Sequence, residues 1–516
     1  MATGKRDTGS KTPKKHCCWF AIAQSASTAD LPFIVSVGQA NVDPAKRKFI
    51  RSHVMRGKNR KKESKPQAKP TGGTVLNATS ASSGDELMPL ESISRWSCSK
   101  FSGVQFADEI EAAFVQDIFT LLSVSSQAMF LLDQCIIPDQ GGLLQSWVPP
   151  LLSDPAYLHV ACVTSQAFFD TYSGRTPSAE ARRQELTSFD KSIRILSKRI
   201  ATNDRSEVLA DSNLMTVLLL SGYSYARGDH KAAHQHNVAL IKLVKLKGTR
   251  ETLRHSPRIL VQEIVRTDFC ICYENGQRPV LFTYEEIPWP LILPPKHAIS
   301  SREPGHMKSR LDTKLSSVWA ALSHFCAVMN IAARNPTARV KAETFLQAMG
   351  SILYRLLHLR FEQGTLEEYF RLGMLAFAAP TFLDWKTVHW LNGHFTLVWR
   401  QSLETILADS TSTAQDRVWL LMVGTLSFAH DVDFLARLID GLRTLTGPCE
   451  VSTWDDVREL LGSYVWIGTL FDEAAAGVFE AVSADTGESL SLTRRYNGED
   501  EVTELLDTTV GHTPRT

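Results

Sequence analysis

Residues 206–247 read SEVLADSNLMTVLLLSGYSYARGDHKAAHQHNVALIKLVKLK, and their pattern decides the fold. The first half is apolar nearly all round, with Val208, Leu209, Leu214, Met215 and the run from Val217 to Leu220. Such a helix belongs at the centre of a body and not on its surface. At Arg227-Gly228-Asp229 a glycine suits the left-handed end of one helix and an aspartate suits the cap of the next. The second half sets Ala232, His236, Ala239, Leu243 and Leu246 at alternating steps of four and three, which predicts a helix with one buried stripe. Two such helices form an αα-hairpin, and its apolar member requires further helices around it.

The flanking sequence supplies them. Helical periods run over 106–122, 156–172, 178–201, 206–226, 229–247 and 256–274, and again over 308–333, 338–359, 366–377, 385–407, 413–428, 432–445 and 453–471. Between the two groups lies a crossing with Pro279, Pro288, Pro290, Pro294 and Pro295, which cannot be helical throughout. The expected fold class is therefore all-α, a single large irregular domain of about thirteen helices over residues 101–480. Length alone would suggest domains of about 150 residues, but apart from the prolines no linker-like stretch divides this span. Gly222, Tyr225 and the alanines near 232 echo a tetratricopeptide unit once, without a fixed period.

Formal charge is +1 overall, and it hides two opposite parts. Residues 1–70 carry 16 Lys/Arg against 4 Asp/Glu, whereas the other 446 carry 40 against 51. A basic arm of this kind seeks phosphates or acidic surfaces, while the body alone would be repelled by nucleic acid. Residues 1–100, rich in Lys, Ser, Thr, Gly and Pro, are expected to be a mostly disordered arm. Within it Phe33–Val37 is a brief β-type run, and residues 45–62 have the helix-forming composition and basic spacing expected of a short helix. Residues 481–516 read as an acidic flexible tail, in which Glu499-Asp-Glu-Val-Thr-Glu-Leu-Leu-Asp507 interleaves acids with Val502, Leu505 and Leu506. That is the composition of an amphipathic activation segment, and equally of an ordinary acidic tail.

The nine cysteines are scattered, and Cys135, Cys162, Cys270, Cys272 and Cys326 sit inside apolar patterns, as reduced small hydrophobes do. The apolar run 17–23 is barely long enough, and its polar leader too long, for a secretory signal. Runs such as 214–220 and 418–423 fall short of the roughly 20 residues of a bilayer span. A soluble protein without membrane contact is expected.

Few residues carry a chemical signal. His230 and His234 have the i, i+4 spacing of a shared metal, without a third ligand nearby, so a polar first turn is the plainer reading. His236 falls in the apolar stripe and reads as a core histidine. Cys270 and Cys272 lack the two-residue gap of a zinc grip, and Glu285-Glu286 has no obvious partner. Phosphate loops, nucleophile elbows and dinucleotide fingerprints are missing, so no catalytic residue, metal or cofactor is assigned. The sharper signal is the basic segment with Arg51, Arg56, Lys58, Arg60, Lys61 and Lys62, which reads as a nuclear import sequence or phosphate contact. Direct DNA contact through residues 45–62 would carry little base specificity.

The order Phe33-Ile-Val, Pro44, Arg51-Ser-His-Val-Met-Arg56, then His236-x3-Leu240-x2-Leu243-Val244-x2-Lys247-Gly248 and Asp268 with Gly276-x2-Pro279, resembles the fungal-specific transcription factor regulatory proteins. Ser351–Leu357, Leu372–Phe377, Trp419–Gly424 and Trp454-Asp-Asp-Val-Arg with Trp466-Ile extend the likeness over about residues 31–480. The resemblance implies an all-helical regulatory domain, a nuclear location and control of metabolic or secondary-metabolite genes, through other transcription regulators or co-regulators. Zinc-cluster members need six closely spaced cysteines, whereas the first 100 residues hold only Cys17, Cys18 and Cys98, so the likeness is to the branch without that cluster. Lys247-Gly248-Thr249 also departs from the Arg-Gly-Gly turn of relatives. A helical-repeat adaptor without transcriptional output, and a helical enzyme, are the competing readings.

Overall fold

The structure is a computed structural model that describes residues 104–483, except 129, 173–175, 203, 288–306, 308, 385–392, 429–430, 447–448 and 450. The arm with its β-type run, the basic segment 45–62 and the acidic segment 499–507 therefore lie outside the described residues. All the described residues fall in one compact unit. Among them 78% are helical and 1% strand, so the all-α expectation holds. Fifteen helices have eight residues or more, against the thirteen expected, and three are shorter.

In chain order the first group is α1 (Ala112–Ala128), α2 (Gln140–Trp147), α3 (Pro149–Ser153), α4 (Pro155–Tyr172) and α5 (Ala179–Ile200). It continues with α6 (Arg205–Val208), α7 (Asp211–Ala226), α8 (His230–Lys247), α9 (Thr249–His255) and α10 (Arg258–Asn275). The second group is α11 (Thr313–Arg334), α12 (Ala342–His358), α13 (Leu366–Phe382), α14 (Gly393–Ala408), α15 (Ala414–Ser427), α16 (Val432–Thr446), α17 (Trp454–Gly462) and α18 (Gly468–Ser483). The only sheet among the described residues is a parallel pair of two-residue strands, Ile136 opposite Val340 and Ile137 opposite Lys341. In the first group α7 packs between α4 and α8, α4 leans on α5 and α1, and α8 meets α10. In the second, α15 packs on α13, α16 and α18.

The expected hairpin is present as α7 and α8. Gly228 turns the chain with φ 75°, and the Asp229 side chain accepts from the Ala232 N–H at 2.9 Å. Leu214, Met215, Val217 and Leu220 of α7 are buried, as its apolar surface requires. The stripe on α8 is rotated from the expected one. Its buried face is Ala233, His236, Asn237, Leu240, Ile241 and Val244, while Leu246 stands 58% exposed. Asn237 is tolerated inside because the Ser221 hydroxyl of α7 donates to its Oδ1 at 2.6 Å.

Where helix boundaries differ from the sequence reading, a side chain is responsible. The chain over 106–111 is not helical, because Asp108 is held by Lys191 at 2.5 Å and His159 at 3.2 Å, and the Ala107 N–H bonds Leu151 O. Helix α2 was missed because Gly141-Gly142 argues against a helix, yet Asp139 caps it through the Gly142 N–H. The single helix expected over 206–226 is split in two, since Asn213 donates to the last carbonyls of α6, Glu207 O and Val208 O. The helix expected over 453–471 is also two, with Asn330 of α11 reaching into the break to bond Trp466 O and the Gly468 N–H. Helix α13 runs on past Pro380, whose missing N–H would orphan Ala376 O. The Ser427 hydroxyl of α15 donates to that carbonyl at 2.6 Å.

The core is deepest around α11, α13 and α15. Trp419 is fully buried between Phe370 and Tyr464, nearly parallel to both with centroids at 5.6 and 5.5 Å. Trp319 stands edge-on to all three rings. Its indole N–H has no hydrogen-bond partner among the described residues. Helix α11 is long and apolar enough to cross a membrane by composition, and 56% of its apolar window is buried inside the protein.

Candidate functional site

The histidines of α8 were the first candidates for chemistry, and the fold separates them. His234 Nδ1 lies 2.7 Å from Glu274 Oε2 of α10, which raises its pKa. His230, four residues earlier, rests edge-on against Tyr225 at 5.2 Å, and burial lowers its pKa. His236 points inward and burial lowers it to about 4, so it is neutral at physiological pH. The first turn thus keeps Lys231 exposed, as a polar turn does, while His230 and His234 are half-buried against neighbours. Among the described residues no group of three or more His, Cys, Asp or Glu is placed to hold a metal.

The cysteines follow the same logic. Cys135, Cys162, Cys270, Cys272 and Cys326 are buried, and burial pushes their thiols up, Cys135 to about 11. A thiol so shifted is a poor nucleophile. Glu286, in the proline crossing, closes a capping box with Thr283. The basic residues Arg51, Arg56, Lys58, Arg60, Lys61 and Lys62 lie outside the described residues.

Four buried carboxylates organise the polar interior, and of these sequence reading had named only Asp268, as part of the family-like order. Asp154 caps α4 through the Ala156 and Tyr157 N–H groups and takes Arg199 Nη1 of α5 at 2.7 Å; the same guanidinium reaches Asn213 of α7. Glu185 of α5, 2% exposed, accepts from the Tyr223 hydroxyl and Arg227 Nε, both at 2.8 Å, and Arg227 also grips Asp170 at 2.8 Å. Asp416, fully buried, opens α15 in a capping box with Thr413 and accepts both Arg310 Nη groups and the Tyr464 hydroxyl. Burial alone would raise the Asp416 and Asp154 carboxyls, but these donors outweigh it and hold both below the usual range.

Asp268 is the exception in sign. It accepts from the Val280 and Leu281 N–H groups and the Tyr354 hydroxyl, yet burial prevails and raises its pKa. Its geometry explains the Asp268, Gly276, Pro279 order. Gly276 takes the left-handed conformation at the end of α10, φ 71°, and turns the chain so that residues 280 and 281 return to the Asp268 carboxylate. Arg360 then spans the neighbouring ends, donating to Leu357 O and Leu359 O after α12 and to Gly276 O. The available signal was a charged residue inside an otherwise apolar run, such as the aspartate in Arg266-Thr-Asp-Phe-Cys-Ile271. Each of these carboxylates fills its acceptor positions from within the protein, and its chemistry is the charge-assisted joining of helices.

The fold and these joints define the class of the described residues, one all-helical unit with an interior of clamped carboxylates. Compared with family models, curated proteins and solved structures, the chain gives no match in any of the three.

Proposed function

We propose that the chain is a nuclear transcriptional regulator, of metabolic or secondary-metabolite genes, that acts through protein partners, with the basic arm supplying import and phosphate contact. One observation carries the reading: 16 Lys/Arg against 4 Asp/Glu in residues 1–70, set before a body of opposite balance. A compact helical body with its buried charges spent on its own joints offers surface to other proteins, and the resemblance in helix signatures points the same way. Neutralising Lys58, Arg60, Lys61 and Lys62 to Gln in the full chain is expected to move a fluorescent fusion from nucleus to cytoplasm. Unchanged nuclear accumulation would remove the import role. The adaptor alternative shares the fold, and tethering the chain to a reporter promoter separates the two, since an adaptor leaves transcription unchanged.

A further inference from the structure

The rotation of α8 leaves an outward face that nothing in the described structure covers. Lys231, Gln235, Val238, Lys242, Lys245 and Leu246 fall within about 100° of one another at helical spacing, opposite the buried face of the same helix. Lys231, Lys242 and Lys245 are exposed and make no ion pair among the described residues, although the Lys245 charge is felt by the buried Asp268, whereas Lys247, beside them, is already paired with Asp211 at 2.5 Å. Between the lysines stand Val238, half-buried, and Leu246, one of the most exposed large apolar side chains in the structure. An unpaired basic stripe with an apolar seam, in a body whose net charge is negative, calls for an occupant that is acidic and apolar at once.

We infer that this face is the docking site of the chain's own segment Glu499–Asp507. That segment holds five acids and no base, and written as a helix it sets Val502, Leu505 and Leu506 on one side with Glu499 and Glu501 flanking them. Its charge and its apolar side both complement α8. Fifteen residues, 484–498, separate it from Ser483, where α18 ends, and the sixteen extended steps reach about 54 Å. That exceeds twice the radius of gyration, about 21 Å, expected for a unit of about 380 residues. Exposed ion pairs are individually weak, but tethering gives the tail a high effective concentration at the stripe. The basic arm is the rival receptor. Helix α8 is favoured over it because it is already a formed helix with Val238 and Leu246 set between its lysines. While docked, the tail's apolar side is withheld from other proteins.

The contact is independent of where the chain resides, and its test reads neither localisation nor transcription. In the full-length chain, carbodiimide coupling should join Lys242 and Lys245 to carboxylates of 499–507. Mixing isotope-labelled and unlabelled chains should show the links to lie within one molecule. The yield should fall at least about fivefold at about 1 M salt, where the Debye length is about 3 Å. The tail variant V502S/L505S/L506S, which keeps all five acids available for coupling and leaves the helical body untouched, should lower the yield on Lys242 and Lys245 by a similar factor. Coupling of the tail to lysines 46–62, links between two chains, or a yield on Lys242 and Lys245 that the variant leaves unchanged would each overturn the inference.

Discussion

Between Asp154 and Lys247 the helices are joined chiefly by carboxylates, whereas between Thr313 and Ser483 they are joined chiefly by rings. In the first region Asp154 ties α4, α5 and α7 through Arg199, and Glu185 ties α5 to the end of α7 through Arg227 and Tyr223. In the second, Trp319, Phe370, Trp419 and Tyr464 bring α11, α13 and α15 into one ring cluster, and the buried ion pair Arg310–Asp416 stands at its rim, attached through the Tyr464 hydroxyl. The difference teaches where each region is vulnerable. Ring burial contributes stability with little regard to pH, while a buried carboxylate fixes geometry and becomes costly once its partner is removed.

The largest effect should come from the ring side. Trp419→Ala removes a fully buried indole, its contacts with three rings and the Nε1–H bond to Val465 O at 3.2 Å. A loss of about 3–5 kcal/mol is expected, read as a fall in the urea midpoint. A loss below about 1 kcal/mol would mean that the ring cluster does not hold the second region together. On the carboxylate side, Glu185→Gln should cost about 3 kcal/mol, the low end for a broken buried pair, because Asp170 still faces Arg227. Replacing Asp170, Glu185 and Arg227 together with apolar residues should recover most of that loss. If the triple variant is less stable than the single one, the cost came from packing and not from an abandoned charge.

The two regions should also part company on acidification. His236, in the first region, is lowered from 6.5 to about 4 by burial. Between those values the unfolded chain binds a proton that the native chain refuses, so stability is full above about 6.5 and falls as pH drops toward 4. From about pH 7 to pH 5 the loss should be about 2 kcal/mol, and His236→Gln should flatten it. His234, raised by Glu274, acts in the opposite sense: its contribution is present below the free-histidine pKa and fades as pH rises through the raised value. Hydrogen exchange near pH 5 should therefore open α7 and α8 before α13 and α15. Simultaneous opening would show one cooperative unit without this contrast.

The ring side of the comparison was the more legible in sequence. Helix existence followed from apolar period alone, and Trp419, Phe377 and Leu357 sat in runs that could only be buried. The carboxylate side was not legible, because whether Asp154 or Glu185 faces solvent or a guanidinium 45 or 42 residues away depends on a packing angle that a single helix does not encode. The α8 stripe shows the same limit. Ala232 and Leu246 satisfy the spacing as well as Ala233 and Leu240 do, and only contact with α7 and α10 chooses between the two faces. Breaks at Leu209–Ala210 and at 463–467 were invisible because Asn213 and Asn330 impose them from elsewhere in the chain or fold.

The smallest effect isolates the turn from which the first region is built. Gly228 has φ 75° and nothing within 4 Å of where a Cβ would stand, so Gly228→Ala carries only the backbone cost of a left-handed alanine, about 1 kcal/mol. Gly276 has nearly the same φ, 71°, but a Cβ there would meet the His394 ring at 2.2 Å. Gly276→Ala should therefore cost more than Gly228→Ala, and the excess measures how firmly His394 is held against the end of α10. Adding His394→Ala to each should lower the cost at 276 and leave that at 228 unchanged. Equal costs in all four variants would mean that the contact at Gly276 yields freely, and the turn after α10 would then be no more constrained than the one that opens α8.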